Sequence, residues 1–184
     1  MTRSLIKPFR RAILALAVLG LVACEDQGFT PAAPEADPPT VTFNGVQLVT
    51  VRPEARGLFL ADDEVEVDLV DVSEGATLTA EDAQLIVQPN SIPEATTIRM
   101  EVEDEDDILG FEFGPNGLVF DPAATLIISA DKADLDDIDP TRLAIAGASD
   151  DVDDWQVIGG IYDPLTNSVT VPILHFSRYA LCVR

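Results

Sequence analysis

Beyond residue 40, the apolar positions of this 184-residue chain fall in short runs that alternate with polar ones, and almost nowhere do they recur at helical spacing. Residues 96–102 give the cleanest case. Ile98, Met100 and Val102 share one face and Thr97, Arg99 and Glu101 the other, the period-two pattern of a half-buried strand. Residues 65–71 repeat it, with Val65, Val67 and Leu69 expected inward and the acidic Glu66 and Asp68 in water. Residues 41–51 predict a strand pair, or one bulged strand, about Asn44-Gly45. Shorter β-prone pieces follow at 57–60, 76–78, 83–87 and 143–146. Residues 155–162 and 168–174 predict a hairpin closed by residues 163–167, and residues 132–138 a turn or short helical piece stopped by Pro140.

The densest stretch is 110–129. Its apolar and aromatic runs at 111–113, 118–120 and 125–128 suit a packed sheet surface. Between the first two stand Gly114, Pro115, Asn116 and Gly117, which predict a chain reversal, because proline fixes φ while Asn and Gly tolerate positive φ. These runs together make nine or ten strands within residues 41–184. The expected fold is all-β, a single antiparallel β-sandwich.

The first 23 residues read differently. Arg3, Lys7, Arg10 and Arg11 precede an uncharged run from residue 12 to residue 23, too short to span a bilayer as a helix and of the length of a secretory signal. The run leads into Leu21-Val22-Ala23-Cys24, which resembles the lipobox of bacterial lipoproteins. That resemblance implies a diacylglycerol on Cys24, cleavage in front of it, and stable anchoring by several acyl chains. Residues 24–40 carry Pro31, Pro34, Pro38 and Pro39 among acidic and small residues, and predict an extended tether. Glu25 follows the cysteine where the inner-membrane retention pattern of such lipoproteins has Asp. The expected location is therefore the bacterial outer membrane or cell surface.

Charge narrows the partners. Without residues 1–23 the chain keeps 7 basic against 33 acidic residues, a formal −26. That field repels nucleic acid and anionic bilayer surfaces, so the membrane is expected as a partner only through the lipid. An envelope protein or a surface polymer is the expected further partner. With Cys24 acylated, Cys182 has no cysteine left to pair with, which excludes a disulfide scaffold and predicts a buried small hydrophobe.

Three motifs carry a family likeness. They are Leu85-Ile86-Val87-Gln88-Pro89-Asn90-Ser91-Ile92; Phe113-Gly114-Pro115-Asn116-Gly117-Leu118-Val119-Phe120-Asp121-Pro122; and Val171-Pro172-Ile173-Leu174-His175-Phe176-Ser177-Arg178-Tyr179. With them the span from about 76 to 180 resembles the ZU5 domain, a β-sandwich module of ankyrins, netrin receptors and tight-junction scaffolds. The second motif follows the family's Gly-Pro-x-Gly-x-x-Phe-x-x-Pro, and the third its His-Phe-Ser-x-Tyr close. The first departs from it, with Ser91-Ile92 where the family has Gly-Ala. The resemblance implies a noncatalytic interaction or scaffolding module in which Gly114, Pro115, Asn116, Gly117, Phe120, Pro122, Trp155 and Tyr179 are structural. Some members cut their own chain between Phe and Ser. Carried over, His175 would be the base, Ser177 the nucleophile and the Phe176 carbonyl the target. Such attack needs a strained peptide.

Other chemistry has fewer parts. Acidic runs at 62–66, 101–107, 134–139 and 150–154 are either solvated loops or collectors of Ca2+, and in the last two Asp134, Asp136, Asp137 and Asp139, and Asp150, Asp151, Asp153 and Asp154, offer hard oxygen ligands. Neither of these two clusters has the glycine and terminal glutamate of a calcium-binding helical loop. Trp155, Tyr162 and Tyr179 are either an exposed carbohydrate platform or core residues. A single histidine, without a phosphate-cradling glycine loop or paired Cys-x-x-Cys, leaves little for a zinc or nucleotide enzyme, and no resident cofactor is expected.

Overall fold

Strands β1 (Thr40–Phe43) and β2 (Val46–Val49) meet at Asn44-Gly45, where φ values of +48° and +85° supply the tight turn the dipeptide predicts. The computed structural model describes residues 39–59, 66–80, 82–103, 107–149 and 152–184, all within one compact unit, Ala36–Arg184. The further strands are β3 (Glu66–Val70), β4 (Ala76–Ala80), β5 (Ala83–Val87), β6 (Thr96–Val102), β7 (Gly110–Gly114), β8 (Val119–Ser129), β9 (Leu143–Ala148), β10 (Gln156–Gly159), β11 (Ile161–Asp163), β12 (Ser168–His175) and β13 (Arg178–Val183).

They form two antiparallel sheets. The first runs β1-β2-β13-β7-β6-β3, and β9 pairs with β13 along its other edge and carries β10. The second runs β11-β12-β8-β5-β4. Inward residues of both sheets share one core, in which Leu78, Leu85, Leu126 and Val171 of the second sheet pack with Ile98, Met100, Phe111 and Leu181 of the first. The fold is thus an all-β sandwich held by apolar burial without a disulfide. Strand β13 is buried at every position because it is covered on both faces. Tyr179 and Leu181 enter the main core, while Ala180 and Cys182 join Leu48, Ala146 and Trp155 in a smaller core on the sheet's other side. Cys182 is free and fully buried as expected, and burial pushes its thiol up to about 12.

Several expectations need correction. The Gly114–Gly117 segment does turn, with the Leu118 amide donating to the Pro115 carbonyl at 3.2 Å and positive φ at Gly117, but its flanking runs do not pair: β7 belongs to the first sheet and β8 to the second, so the chain crosses the sandwich there. Residues 119–120 and the run at 125–128 belong to one eleven-residue strand, β8. Its Pro122 is tolerated where the pairing with β12 slips between Ile173 and His175. The hairpin at 163–167 is present as β11–β12. Residues 155–162, however, split at Gly159-Gly160, so that β10 serves the first sheet and β11 the second. In β3 Asp68 is exposed as expected, but Leu69 is not buried. Its register sets Asp68 opposite the buried Ile98, leaves Val70 buried, and turns Leu69 outward at 67% exposure. Residues 57–59 end a short helix, α1 (Pro53–Phe59), opened by its proline. Pro140 likewise starts a 3-10 turn (Pro140–Arg142) rather than stopping a helix.

The outer faces of the two sheets differ. On the first lie the charged Arg99, Glu101 and Glu112. On the second, the register aligns Ile161, Thr170, Ile127, Gln84 and Thr79 in one outward row, and Pro172, Thr125, Ile86 and Thr77 in the next. Neither row contains a charge.

Candidate functional site

The motifs that carry the family likeness converge. At the end of β12 the chain turns through His175, Phe176 and Ser177 into β13, and the Phe176 amide donates to the Leu118 carbonyl at 2.9 Å. The Phe176 ring is 1% exposed, stacked on Phe113 at 5.6 Å and edge-on to Phe120 at 4.9 Å. Tyr179 packs edge-on against Phe113 at 5.8 Å and its hydroxyl donates to the His175 carbonyl at 2.6 Å. From the first motif, the Ser91 carbonyl accepts from the Asp121 amide at 2.8 Å. Distant runs of sequence thus build one aromatic cluster under the turn.

His175 is exposed, and its Nδ1 lies 3.1 Å from the Phe176 carbonyl oxygen. Ser177 is buried, and its hydroxyl donates to the Ala148 carbonyl across the neighbouring strand. Both side chains line an open depression of about 280 Å3, together with Ser149, Asp154 and Gln156. None of residues 175–177 adopts positive φ. Cys24, the expected lipid site, lies outside the described residues.

The aspartate clusters are engaged locally. Asp139 accepts from the Thr141 amide at 2.9 Å and its hydroxyl at 2.8 Å, bonds that hold the carboxyl below the usual range. Asp134 is buried and accepts from the Asp136 amide, Asp153 pairs with Arg178, and Asp154 accepts from Asn44 and Gln156. Asp137 is exposed with φ at +63°, and Asp150 and Asp151 lie outside the described residues. Among the described residues, no group of three or more His, Cys, Asp or Glu is placed to hold a metal ion. The aromatic platform resolves toward packing. Trp155 and Tyr179 are each 2% exposed, and Tyr162 donates to Asn167 at 2.8 Å.

The ion pairs of two cations, Arg178 and Lys132, escaped the sequence reading. Arg178 is buried and reaches Asp153 at 3.0 Å, the Val152 carbonyl at 3.1 Å and Glu103 at 3.8 Å, with its guanidinium 5.3 Å from the Trp155 ring centroid. The available signal was a lone arginine opening an otherwise uncharged run, 179–183. Lys132 meets Asp82 at 3.2 Å, yet burial and then the nearby Asp131 raise the Asp82 carboxyl to about 6. Desolvation there outweighs the attraction of the ammonium group.

The chain matches no family model, and no curated protein matches it by sequence. Among the described residues, no helix is long and apolar enough to cross a membrane.

Proposed function

We propose that this chain is a lipid-anchored envelope protein whose ZU5-like sandwich works as a protein-interaction or structural module, without catalytic turnover. The anchor rests on the uncharged run ending at Cys24, and the tether of 24–40 spaces an acidic domain from the bilayer. One observation carries the noncatalytic reading: the tripeptide with a reaction available to it is committed to packing. Phe176 is buried among Phe113 and Phe120, Ser177 donates to Ala148, and the His175 carbonyl is held by Tyr179.

A second reading, self-cleavage, draws on the Nδ1 of His175 beside the Phe176 carbonyl and on the depression that His175 shares with Ser177. In it Ser177 Oγ attacks the Phe176 carbonyl carbon as His175 takes its proton, and the Phe176–Ser177 amide breaks to leave an ester and a free amine. Water then hydrolyses the ester to a Phe176 carboxylate. Intact mass spectrometry on protein from its native membrane, beside a Ser177→Ala variant, separates the readings. A lipid adduct on Cys24 with a chain continuous to Arg184 is the expected result. A chain ending at Phe176, seen in the parent and lost in the variant, overturns the noncatalytic reading; an unmodified Cys24 overturns the anchor.

A further inference from the structure

We infer that the uncharged outer face of the second sheet docks a second copy of this chain, face to face. The inference rests on the interaction-module reading and names its partner. The face is a grid of mostly threonine and branched apolar side chains centred on Thr125 and Ile127 of β8, the middle strand of five. Its edges carry Ile161 at 77% and Leu174 at 62% exposure. Asp163 and the Lys132-paired Asp82 stand at one end and Asp121 at the other, and no charge lies in the two rows between. In a chain of formal charge −22 that exclusion is selective, because the opposite outer face carries Arg99, Glu101 and Glu112.

Charge argues for a second copy as the occupant. A basic partner gains most on the acidic surfaces, and an acidic partner docked elsewhere meets like charge. Two copies related by a two-fold axis through β8 set neutral face on neutral face and keep their acidic sheets on the far sides. With packed sheets about 10 Å apart, those far faces are separated by roughly 30 Å, several Debye lengths at physiological salt. The grid measures roughly 24 Å by 20 Å, so a face-to-face pair buries on the order of 1,000 Å2 in total, near the lower bound for a specific interface. Such a pair is weak in dilute solution. An anchor that confines both copies to one membrane raises their effective concentration.

The test uses the full chain in its native membrane with Thr125→Cys and a bis-maleimide of about 10 Å span, matched to the sheet spacing. Cys182 is fully buried and adds little background. The expected product has twice the mass of the chain, and its yield rises as NaCl goes from about 20 to about 500 mM, because salt screens the repulsion between copies. Adding Ile127→Asp should lower the yield roughly tenfold or more, since like charges meet across the axis. Arg99→Cys, on the other sheet, should give no dimer. Thr170→Cys on the neighbouring strand β12, cross-linked in the same membrane at the same two salt concentrations, covers the case in which Thr125→Cys folds poorly. An accessible Thr125→Cys that yields no dimer, an adduct of any other mass, or a yield that falls with salt overturns the inference. Lipidation and chain integrity are read separately by intact mass, so failure of this face leaves the anchored-module reading standing.

Discussion

Phe176 and Ser177 sit next to each other and should behave very differently on truncation. Phe176→Ala empties a site between two aromatic rings, and a well-packed phenylalanine of this kind costs about 3–5 kcal/mol. Ser177→Ala removes one hydrogen bond to the Ala148 carbonyl and costs about 1–3 kcal/mol. Chemical denaturation of both variants checks the order, and equal costs would mean that the aromatic cluster does not close the turn. Asp82 gives a pH signature instead. Its carboxyl is raised from 3.8 to about 6, so between those values the folded state binds more protons than the unfolded chain. The contribution of Asp82 to stability is therefore favourable below that window and declines as pH rises through it. Asp82→Asn should flatten the fall in denaturation midpoint from about pH 4 to 6; an unchanged slope would assign the fall to other carboxylates. The roles of Phe176 and Tyr179 were partly legible, because buried aromatics beside a terminal strand read as docked. The state of Asp82 was not, since it depends on burial and on the charge of Asp131, both set by the tertiary fold.

At the scale of elements, the loop before β10 is latched to β13 by one guanidinium. Arg178 bonds the Ser149 and Val152 carbonyls and the Asp153 carboxylate while its plane lies near Trp155, which seals the smaller core. Arg178→Ala should cost about 3–5 kcal/mol, and Arg178→Lys should recover little, because one ammonium cannot reproduce a planar fork. Thermal unfolding with tryptophan fluorescence reads both the loss and the loosening of Trp155. Full recovery by lysine would reduce the latch to simple charge pairing. The next crossing is equally exact in its demands: at Gly160 φ is +126°, and an added Cβ would lie 2.7 Å from Val169 Cγ1. Local pattern found most strands, since alternation in β6 and the turn residues at 44–45 and 163–167 are properties of a few adjacent side chains. It did not find which sheet each strand joins. Strands β7 and β8, and β10 and β11, are neighbours in sequence that separate in space, and the choice is made by pairings far along the chain. For β3 the pattern placed Asp68 in water correctly but missed at Leu69 and Val70, because an edge strand with a single partner can turn Leu69 to solvent and let Val70 seal the core.

The whole molecule carries 33 acidic against 11 basic residues, and the fold spends only some of those carboxylates on caps and ion pairs. The remainder repel one another across the surface, a cost of compactness that the unfolded chain relieves by expanding. Added salt should therefore raise the unfolding temperature of the full chain, most steeply at low concentration, where the screening length changes fastest. Calcium separates general screening from a built site. Asp134, Asp139, Asp153 and Asp154 already accept bonds from the Asp136 amide, Thr141, Arg178, Asn44 and Gln156, an arrangement that engages these carboxylates one at a time. Hard-cation binding instead requires six to eight oxygens turned toward one centre. Calcium chloride and sodium chloride at matched ionic strength should then give nearly coincident unfolding curves, with at most a shallow, unsaturating excess for the divalent ion. A calcium-specific rise that saturates below about 1 mM would show a site assembled from these loops. It would also make the acidity of this chain a means of binding a ligand, where the screening result makes it a means of keeping every surface but one from adhering.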